Sequence, residues 1–377
     1  MLIYLIISLS FQYAHFSKMI SQPFLDSFGI PSARIDIGDP PQKKYLDFDM
    51  EIQYNWMNDR NYDANQSTTL LTHEKKLIRI EHATADAVAL EDKFYFPNEK
   101  ESLIHFHFYY VHNTFAFTGG CISLTYQHEN QKYSLVHQLY KHKLIDHLSF
   151  SFADGAQEKG IITFGGITDD IIIRNKYKGF CNVKDKPYWS CDLHSISNGI
   201  YTYYNSDSMM FQSGESDIHI PKEFFEFLKS TVFKKYLENE ECALYKFTID
   251  YVIRCNEEVL ETLPPFKFLI GNYQIEIPHN MLFTDMFDKK QLRFFQPRTD
   301  QEHLWIIGMP FFRSNDVLFD YENKTVSFFG NNTITYVNNS IELQKIITVF
   351  EGGILLAFSI FLFLIQYLNK NNINLYW

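Results

Sequence analysis

Two polar loops each follow an apolar strand and carry residue types suited to acid–base chemistry. The first loop begins at Asp49, directly after Phe48. The second begins at Gln212, after Phe211, and runs through a turn of small residues to Pro221. A carboxylate held beside a second polar group can activate a water molecule as a general base. The two loops therefore predict a two-part site, with an acid on the first loop and an amide on the second.

The two loops also mark a coarse internal repeat of strand, polar loop and strand. In each half an apolar strand follows near the end, at 122–124 in the first half and at 305–308 in the second. This arrangement predicts two similar lobes, an N-terminal one over 30–177 and a C-terminal one over 178–336.

The local patterns indicate a chain that is mostly β. Aromatic residues make up 17% of the sequence, which favours strands. Alternation and turn signals predict strands over 33–37, 44–48, 77–80, 88–96, 104–111, 119–126, 148–152, 160–166, 188–196 and 201–211. They predict a hairpin over 266–277, and residues 304–312 and 317–329 are predicted to close the domain. Helices are predicted over 135–144 and 222–237, a polar surface loop over 57–76 and a small-residue hairpin tip over 83–87.

Seven stretches, in order and at suitable spacing, resemble the motifs of the pepsin-like aspartic proteases. They are Ile37–Gln42, Phe48–Trp56, Gly119–Tyr126, Phe150–Phe152, Ile162–Ile167, Phe211–Pro221 and Trp305–Asn323. The resemblance covers roughly residues 30–330. It implies an all-β, bilobal pepsin-like fold with a cleft between the lobes that binds extended peptides.

The resemblance assigns Asp49 to the first catalytic position and Gln212 to the second. Aspartic proteolysis uses two carboxylates that share one proton around a water molecule. An amide can orient water and donate a hydrogen bond, but it cannot cycle a proton. We therefore predict a pepsin-like endopeptidase homologue that is inactive or impaired. Two alternatives stay open: an active aspartic endopeptidase with an unusual catalytic pair, and a structural or adhesion ectodomain whose cleft is filled.

Other positions of the predicted cleft also depart from the family pattern. Met50 replaces a threonine whose hydroxyl links the two loops in the family, and Glu51 replaces a glycine, where we expect unfavourable backbone angles. On the second loop Ser213 and Gly214 match the family, while Glu215 stands where the family has threonine.

The flap and three acids near the loops also bear on this site. The family's flap tyrosine is replaced within Ile80–His82, where His82 is a candidate substitute or an ordinary solvated histidine. Glu215 and Glu51 are candidates to supply the missing carboxylate, and the spacing permits it for Glu215, three residues past Gln212 on the same loop, although a solvated acid is the commoner situation. Asp217 is predicted to lie on the surface.

Both ends of the chain carry apolar segments. Residues 1–14 have the length of a signal peptide but lack a positive first region, so a buried strand is the alternative. Residues 346–368 contain a single charge, Glu351, and as a helix would extend roughly 35 Å, enough to cross a bilayer. A core helix and a cleaved lipid-anchor signal are the alternatives. We predict a single-pass type I membrane protein with its lobes in the secretory lumen or outside the cell and a cytoplasmic tail over 369–377.

The five cysteines suit an exported chain. The simplest pairing is Cys181 with Cys191 and Cys242 with Cys255, which leaves Cys121, although spacing alone does not prove it. Potential glycosylation sites begin at Asn65, Asn323, Asn331 and Asn338.

Composition limits the partners that we expect. Lys and Arg total 34 against 45 Asp and Glu, a net charge of −11, which argues against nucleic acid. The sequence has no Cys-x-x-Cys pair, and we identify no histidines at ligand spacing, so we predict no metal and no cofactor. The expected partners are extended peptides and a membrane.

Overall fold

The computed structural model describes residues 18–27, 30–80, 83–97, 102–111, 119–126, 131–153, 159–168, 177–184, 187–247, 250–286, 288–295, 305–330 and 335–336. The predicted signal peptide, membrane helix and cytoplasmic tail lie outside these residues, as do His82, Asn331 and Asn338. Within the described part of the chain, no helix is both long and apolar enough to span a bilayer.

Strands dominate both halves of the chain. The first half contains β1 Ile20–Ser27, β2 Ile30–Ile37, β3 Gln42–Asp49, β4 Trp56–Asn58, β5 Leu71–Ile80, β6 Ala83–Tyr95, β7 Ser102–Val111, β8 Gly120–Ser123, β9 Ser149–Ala153 and β10 Lys159–Phe164. The second half contains β11 Tyr177–Asn182, β12 Ser190–Ser197, β13 Thr202–Tyr204, β14 Ser208–Phe211, β15 Ile218–His219, β16 Cys242–Phe247, β17 Asp250–Cys255, β18 Phe266–Ile270, β19 Tyr273–Ile277, β20 Phe283–Met286, β21 Lys289–Leu292, β22 Phe294–Phe295, β23 Trp305–Ile307, β24 Asp316–Asp320, β25 Thr325–Phe329 and β26 Thr335–Tyr336.

The helices are short and connect the strands. They are α1 Leu135–Lys141, α2 Lys222–Phe227, α3 Lys234–Glu238, α4 Glu257–Thr262, α5 His279–Leu282 and α6 Met309–Phe312, with a π-helical turn Leu228–Val232 between α2 and α3 and 3₁₀ turns at Ala64–Gln66 and Gln131–Tyr133. The side chain of Ser134 caps α1, and Pro221 precedes α2, where proline is tolerated. Both predicted helices are present, the second interrupted by the π turn.

The strand pairing repeats around the two loops, as the sequence repeat predicts. β3 runs parallel to β8, with Phe48 opposite Ile122. β14 runs parallel to β23, with Phe211 opposite Ile307. Each loop therefore begins where a buried central strand ends.

A 13-stranded sheet extends across both halves, in the order β11-β25-β24-β9-β10-β1-β2-β3-β8-β4-β7-β6-β5. Strand β24 joins β9 antiparallel, which places Phe319 opposite Phe150. Trp189, fully buried, donates from Nε1 to the Leu124 carbonyl at 2.8 Å and packs against both phenylalanines. This aromatic core connects strands that come from the two halves of the chain.

Two predictions for residues 57–87 are wrong. The predicted surface loop over 57–76 contains β4 and the first half of β5, and the predicted hairpin tip over 83–87 is part of β6. Strand β5 is the last strand of the sheet order, and its residues from Leu71 to Leu77 are exposed. Because neither face of this stretch is buried, its sequence does not show the alternation of apolar and polar residues that identifies a strand.

Candidate active site

The two polar loops meet and are linked by hydrogen bonds. Ser213 donates from Oγ to the Phe48 carbonyl at 2.7 Å. The Met50 backbone N–H donates to Gln212 Oε1 at 3.1 Å, and the Met50 side chain is buried. The loops therefore remain joined although Met50 lacks the hydroxyl that the family uses at this position.

Asp49 lies at the centre of this junction. Its Oδ1 accepts hydrogen bonds from the backbone N–H groups of Glu51, at 2.6 Å, and Ile52, at 3.0 Å. Burial raises the pKa of Asp49 to about 6, because the desolvation of the carboxylate outweighs the two backbone donors that favour its charged form. The negative charge of Glu51 also raises this pKa, whereas the Gln212 amide lowers it. Asp49 is thus an acid poised to exchange its proton at mildly acidic pH.

The Gln212 side-chain amide makes four contacts. Its Oε1 accepts from the N–H groups of Met50, at 3.1 Å, and Gly214, at 3.2 Å. Its Nε2 donates to Glu51 Oε2 at 3.0 Å and lies 3.4 Å from Asp49 Oδ1. If the amide were turned over, its oxygen would face the two carboxylates and its NH₂ group would face two backbone N–H groups. These neighbours therefore determine which end of the amide carries the oxygen. Gln212 is 2% exposed, and its hydrogen-bonding capacity is fully used within the site.

Gly214 is required by the close approach of the two loops. A Cβ built on Gly214 would lie 2.5 Å from Asp49 Oδ2. No side chain fits at that distance without displacing the carboxylate. This glycine therefore allows Asp49 and Gln212 to meet.

Glu51 enters the site, which the sequence reasoning left open. Its carboxylate shares the Gln212 Nε2 donor with Asp49. The expectation that Glu51 has unfavourable backbone angles is not supported: in the described part of the chain, positive φ angles outside glycine occur at Lys143, Glu240 and Lys324. The replacement of glycine by glutamate at this position therefore adds an acid to the site without forcing a left-handed backbone.

The acids of the second loop point to other partners. Glu215 Oε2 pairs with His219 Nε2 at 2.9 Å. Asp217 accepts from Arg293 Nε at 2.8 Å and is half-buried, which corrects its prediction as a surface residue. Glu51, rather than Glu215, is thus the acid that shares a donor with Asp49.

The remaining predicted positions are distributed as follows. Ile80 ends β5, and His82 lies outside the described residues. Both predicted disulfides, Cys181–Cys191 and Cys242–Cys255, are present, and Cys121 is buried and belongs to neither. Asn65 and Asn323 are exposed.

The contact between Glu51 and Gln212 was missed by sequence reasoning. The available signal was the acid at a family glycine position directly beside Asp49. The direction of the Glu51 side chain depends on the fold of the first loop, where the N–H groups of residues 51 and 52 turn towards Asp49. Motif spacing carries no information on that direction.

Comparison with known proteins agrees with this architecture. The family model for eukaryotic aspartyl proteases matches residues 32–330, so the chain belongs to this family. The structure of the aspartic proteinase from Irpex lacteus superposes with a TM-score of 0.68 over 83% of this chain and 97% of that chain, at 14% sequence identity. This likeness supports the mostly β, bilobal pepsin-like fold, and the resemblance drawn from the sequence is confirmed.

Two curated relatives match at low identity. Plasmepsin IV of Plasmodium falciparum (isolate 3D7) is 27% identical over 200 residues, which are 52% of this chain and 41% of that protein. Plasmepsin I of the same isolate is 28% identical over 178 residues, 46% of this chain and 35% of that protein. The matched segment thus spans less than half the length of these relatives.

The raised pKa predicts how Asp49 affects stability with pH. The folded chain holds the Asp49 proton up to about pH 6, whereas an unfolded chain releases it near pH 4. The burial of Asp49 therefore lowers the free energy of unfolding progressively as the pH rises from about 4 to about 6, and the loss is largest above pH 6. Asp49→Asn removes the charge, so we expect its free energy of unfolding to exceed that of wild type by on the order of 3 kcal/mol at pH 7 and by little at pH 3.5.

Urea denaturation at half-unit pH steps measures this difference. Asp59→Asn, an exposed aspartate outside the site, is the matched control and should follow the wild-type profile. A stability difference between Asp49→Asn and wild type that does not change between pH 3.5 and 7 would contradict the assignment.

Proposed function

We propose that this chain is a membrane-anchored, peptide-binding member of the eukaryotic aspartyl protease family in which peptide hydrolysis is abolished or strongly impaired. The observation that carries the proposal is the Gln212 amide, which occupies the second catalytic position with both of its ends engaged. Peptide hydrolysis in this family needs an acid there, because one carboxyl removes the proton of the water while the other donates to the substrate carbonyl. Gln212 has no exchangeable acidic proton to give.

The packing around the amide also leaves little space for a catalytic water. Gln212 is one methylene longer than the aspartate that it replaces, and its Nε2 lies between the carboxylates of Asp49 and Glu51. A water bound between two catalytic acids needs that position. The amide therefore supplies the hydrogen bonds that a water would otherwise make.

Peptide binding rests on the fold that the family shares. Members of the family bind extended peptides in the cleft between the lobes, and extended chains bind such clefts through main-chain hydrogen bonds. The linked loops preserve the framework of this cleft. We therefore infer a binding role that survives the loss of chemistry.

A second candidate function is a protease that uses Asp49 and Glu51 as its pair of acids. It is favoured by one observation: both carboxylates contact the same amide nitrogen. Like charges at close range separate the pKa values of two acids, and the charge of Glu51 raises the pKa of Asp49. In this alternative Asp49 holds the proton while Glu51 acts as the base.

One experiment separates the two candidates. The purified full-length chain is incubated with denatured protein from pH 3 to pH 7, with and without a statine-type transition-state mimic. We expect no mimic-sensitive cleavage above that of Asp49→Asn, together with measurable binding of a fluorescent statine-type peptide. The control variant is Glu226→Gln, an exposed acid that pairs with Lys229 outside the site.

The outcomes are distinct. Mimic-sensitive cleavage that disappears in Asp49→Asn would overturn the inactive assignment. If Glu51→Gln also abolished that cleavage while Glu226→Gln preserved it, the Asp49 and Glu51 pair would be the active one. Absence of peptide binding would contradict the binding role.

We further propose that the chain crosses the membrane once, with its lobes in the lumen or outside the cell. The apolar segment 346–368, the two disulfides and the exposed sequons at Asn65 and Asn323 support this topology. We expect the chain expressed in a eukaryotic cell to shift in mobility on glycosidase treatment, and the shift to shrink in Asn65→Gln and in Asn323→Gln. Asn239→Gln, an exposed asparagine outside any sequon, should leave it unchanged. A chain without any glycosidase-sensitive shift would contradict lumenal exposure.

A further inference from the structure

Three histidines surround one buried glutamate on β5, β6 and β7, apart from the site described above. Glu91 lies on the middle strand, β6, and is 8% exposed. His73 comes from β5, and His105 and His107 come from β7. These residues are distant in sequence but converge on one carboxylate.

The strand register explains the convergence. Glu91 pairs directly with His107 across β6 and β7. His105 lies two residues away on the same strand, so its side chain shares the face of His107. His73 lies where the pairing of β5 with β6 is irregular, between Thr72 and Lys75, and it approaches Glu91 from the other side.

The donor atoms are spaced as a metal site requires. His73 Nε2 and His107 Nδ1 each lie 3.2 Å from Glu91 Oε2. One ligand atom from each of the three residues lies within 4.8 Å of the others. In tetrahedral zinc coordination, with metal–ligand bonds of about 2.0–2.1 Å, ligand atoms are roughly 3.3 Å apart. A modest rotation of the partly exposed His73 side chain would bring its Nε2 to the spacing from His107 Nδ1 that zinc coordination requires.

One feature of the cluster calls for a cation. The buried Glu91 carboxylate is hydrogen-bonded by His73 and His105, one on each oxygen. His107 Nδ1 is buried and makes no hydrogen bond to any described residue, although it faces the Glu91 carboxylate. A metal ion bound between His73, Glu91 and His107 would satisfy this nitrogen. His105 Nδ1 hydrogen-bonds the other oxygen, Glu91 Oε1, and so orients the carboxylate.

The backbone holds His107 firmly at this position. Its N–H donates to Gln138 Oε1 at 2.9 Å, and its carbonyl accepts from Gln138 Nε2 at 3.3 Å and from Asn55 Nδ2 at 3.4 Å. A ligand on a fixed strand loses little freedom when it coordinates a metal. The cluster is thus largely preorganised.

We propose that His73, Glu91 and His107 bind a Zn²⁺ ion, with His105 positioning the carboxylate and one coordination position left to water. Two imidazoles and one carboxylate are ligands that suit zinc, whereas Mg²⁺ and Ca²⁺ prefer oxygen ligands alone. The sequence predicted no metal. That prediction overlooked that His105 and His107 are alternate residues of one strand and therefore share a face. The proposal is independent of any proteolytic activity.

Titration of the chelator-treated full-length chain with Zn²⁺, in competition with a chromophoric chelator, tests the proposal. We expect one ion per chain, more than about tenfold weaker binding in His73→Gln and His107→Gln, and roughly tenfold weaker binding in His105→Gln. Zn²⁺ should raise the Tm of the wild type but not that of His73→Gln. Co²⁺ should give the visible absorption of a four-coordinate site, and Mg²⁺ should not compete.

His147→Gln is the matched control, because His147 is an exposed histidine that also faces a glutamate, Glu322, at 3.9 Å. It should bind zinc as the wild type does. His73 is partly exposed, so the fold of His73→Gln can be checked by its circular dichroism. The absence of stoichiometric binding by the wild type would overturn the proposal, as would equal affinity in folded His73→Gln.

Discussion

The Gln212 side-chain amide holds the centre of this molecule together. It joins the two central loops through the Met50 and Gly214 N–H groups, and it separates the carboxylates of Asp49 and Glu51. Two acids this close repel each other when both are charged, and a neutral donor between them relieves that repulsion. Under the proposed function, the amide that stabilises this junction stands where hydrolysis in the family uses a second acid.

The scaffold around this amide follows the family closely. Parallel pairing of β3 with β8 and of β14 with β23 delivers both loops to one place, and the Ser213 bond to Phe48 joins them. The site therefore differs from the family pattern at Met50, Glu51 and Gln212, while the strand pairs and the hydrogen bond that position the two loops are present. The proposed peptide-binding role rests on this framework.

The fold could be predicted from sequence because its signals are local and ordered. Local alternation predicted buried strands such as β9 and β10, and the simplest pairing of neighbouring cysteines predicted both disulfides. The exposed first part of the edge strand β5, from Leu71 to Lys76, could not be recognised, because exposed residues need no apolar pattern. The partners of Glu51 and the histidine cluster at Glu91 also escaped, since both depend on which way side chains point across loops and strands. Identities and spacing placed Asp49 and Gln212 together, but only the structure assigned the Glu51 carboxylate to the same amide.

The most direct test of this account rebuilds the family site. Proteolysis at acid pH, and its sensitivity to a statine-type mimic, would be compared among wild type, Gln212→Asp, and the triple variant with Met50→Thr, Glu51→Gly and Gln212→Asp. We expect no activity in wild type and clear mimic-sensitive cleavage in the triple variant. The single variant should show little, because Glu51 adds a third acid and Met50 lacks the linking hydroxyl. Cleavage by wild type, full recovery in Gln212→Asp alone, or a folded triple variant without activity would contradict this account.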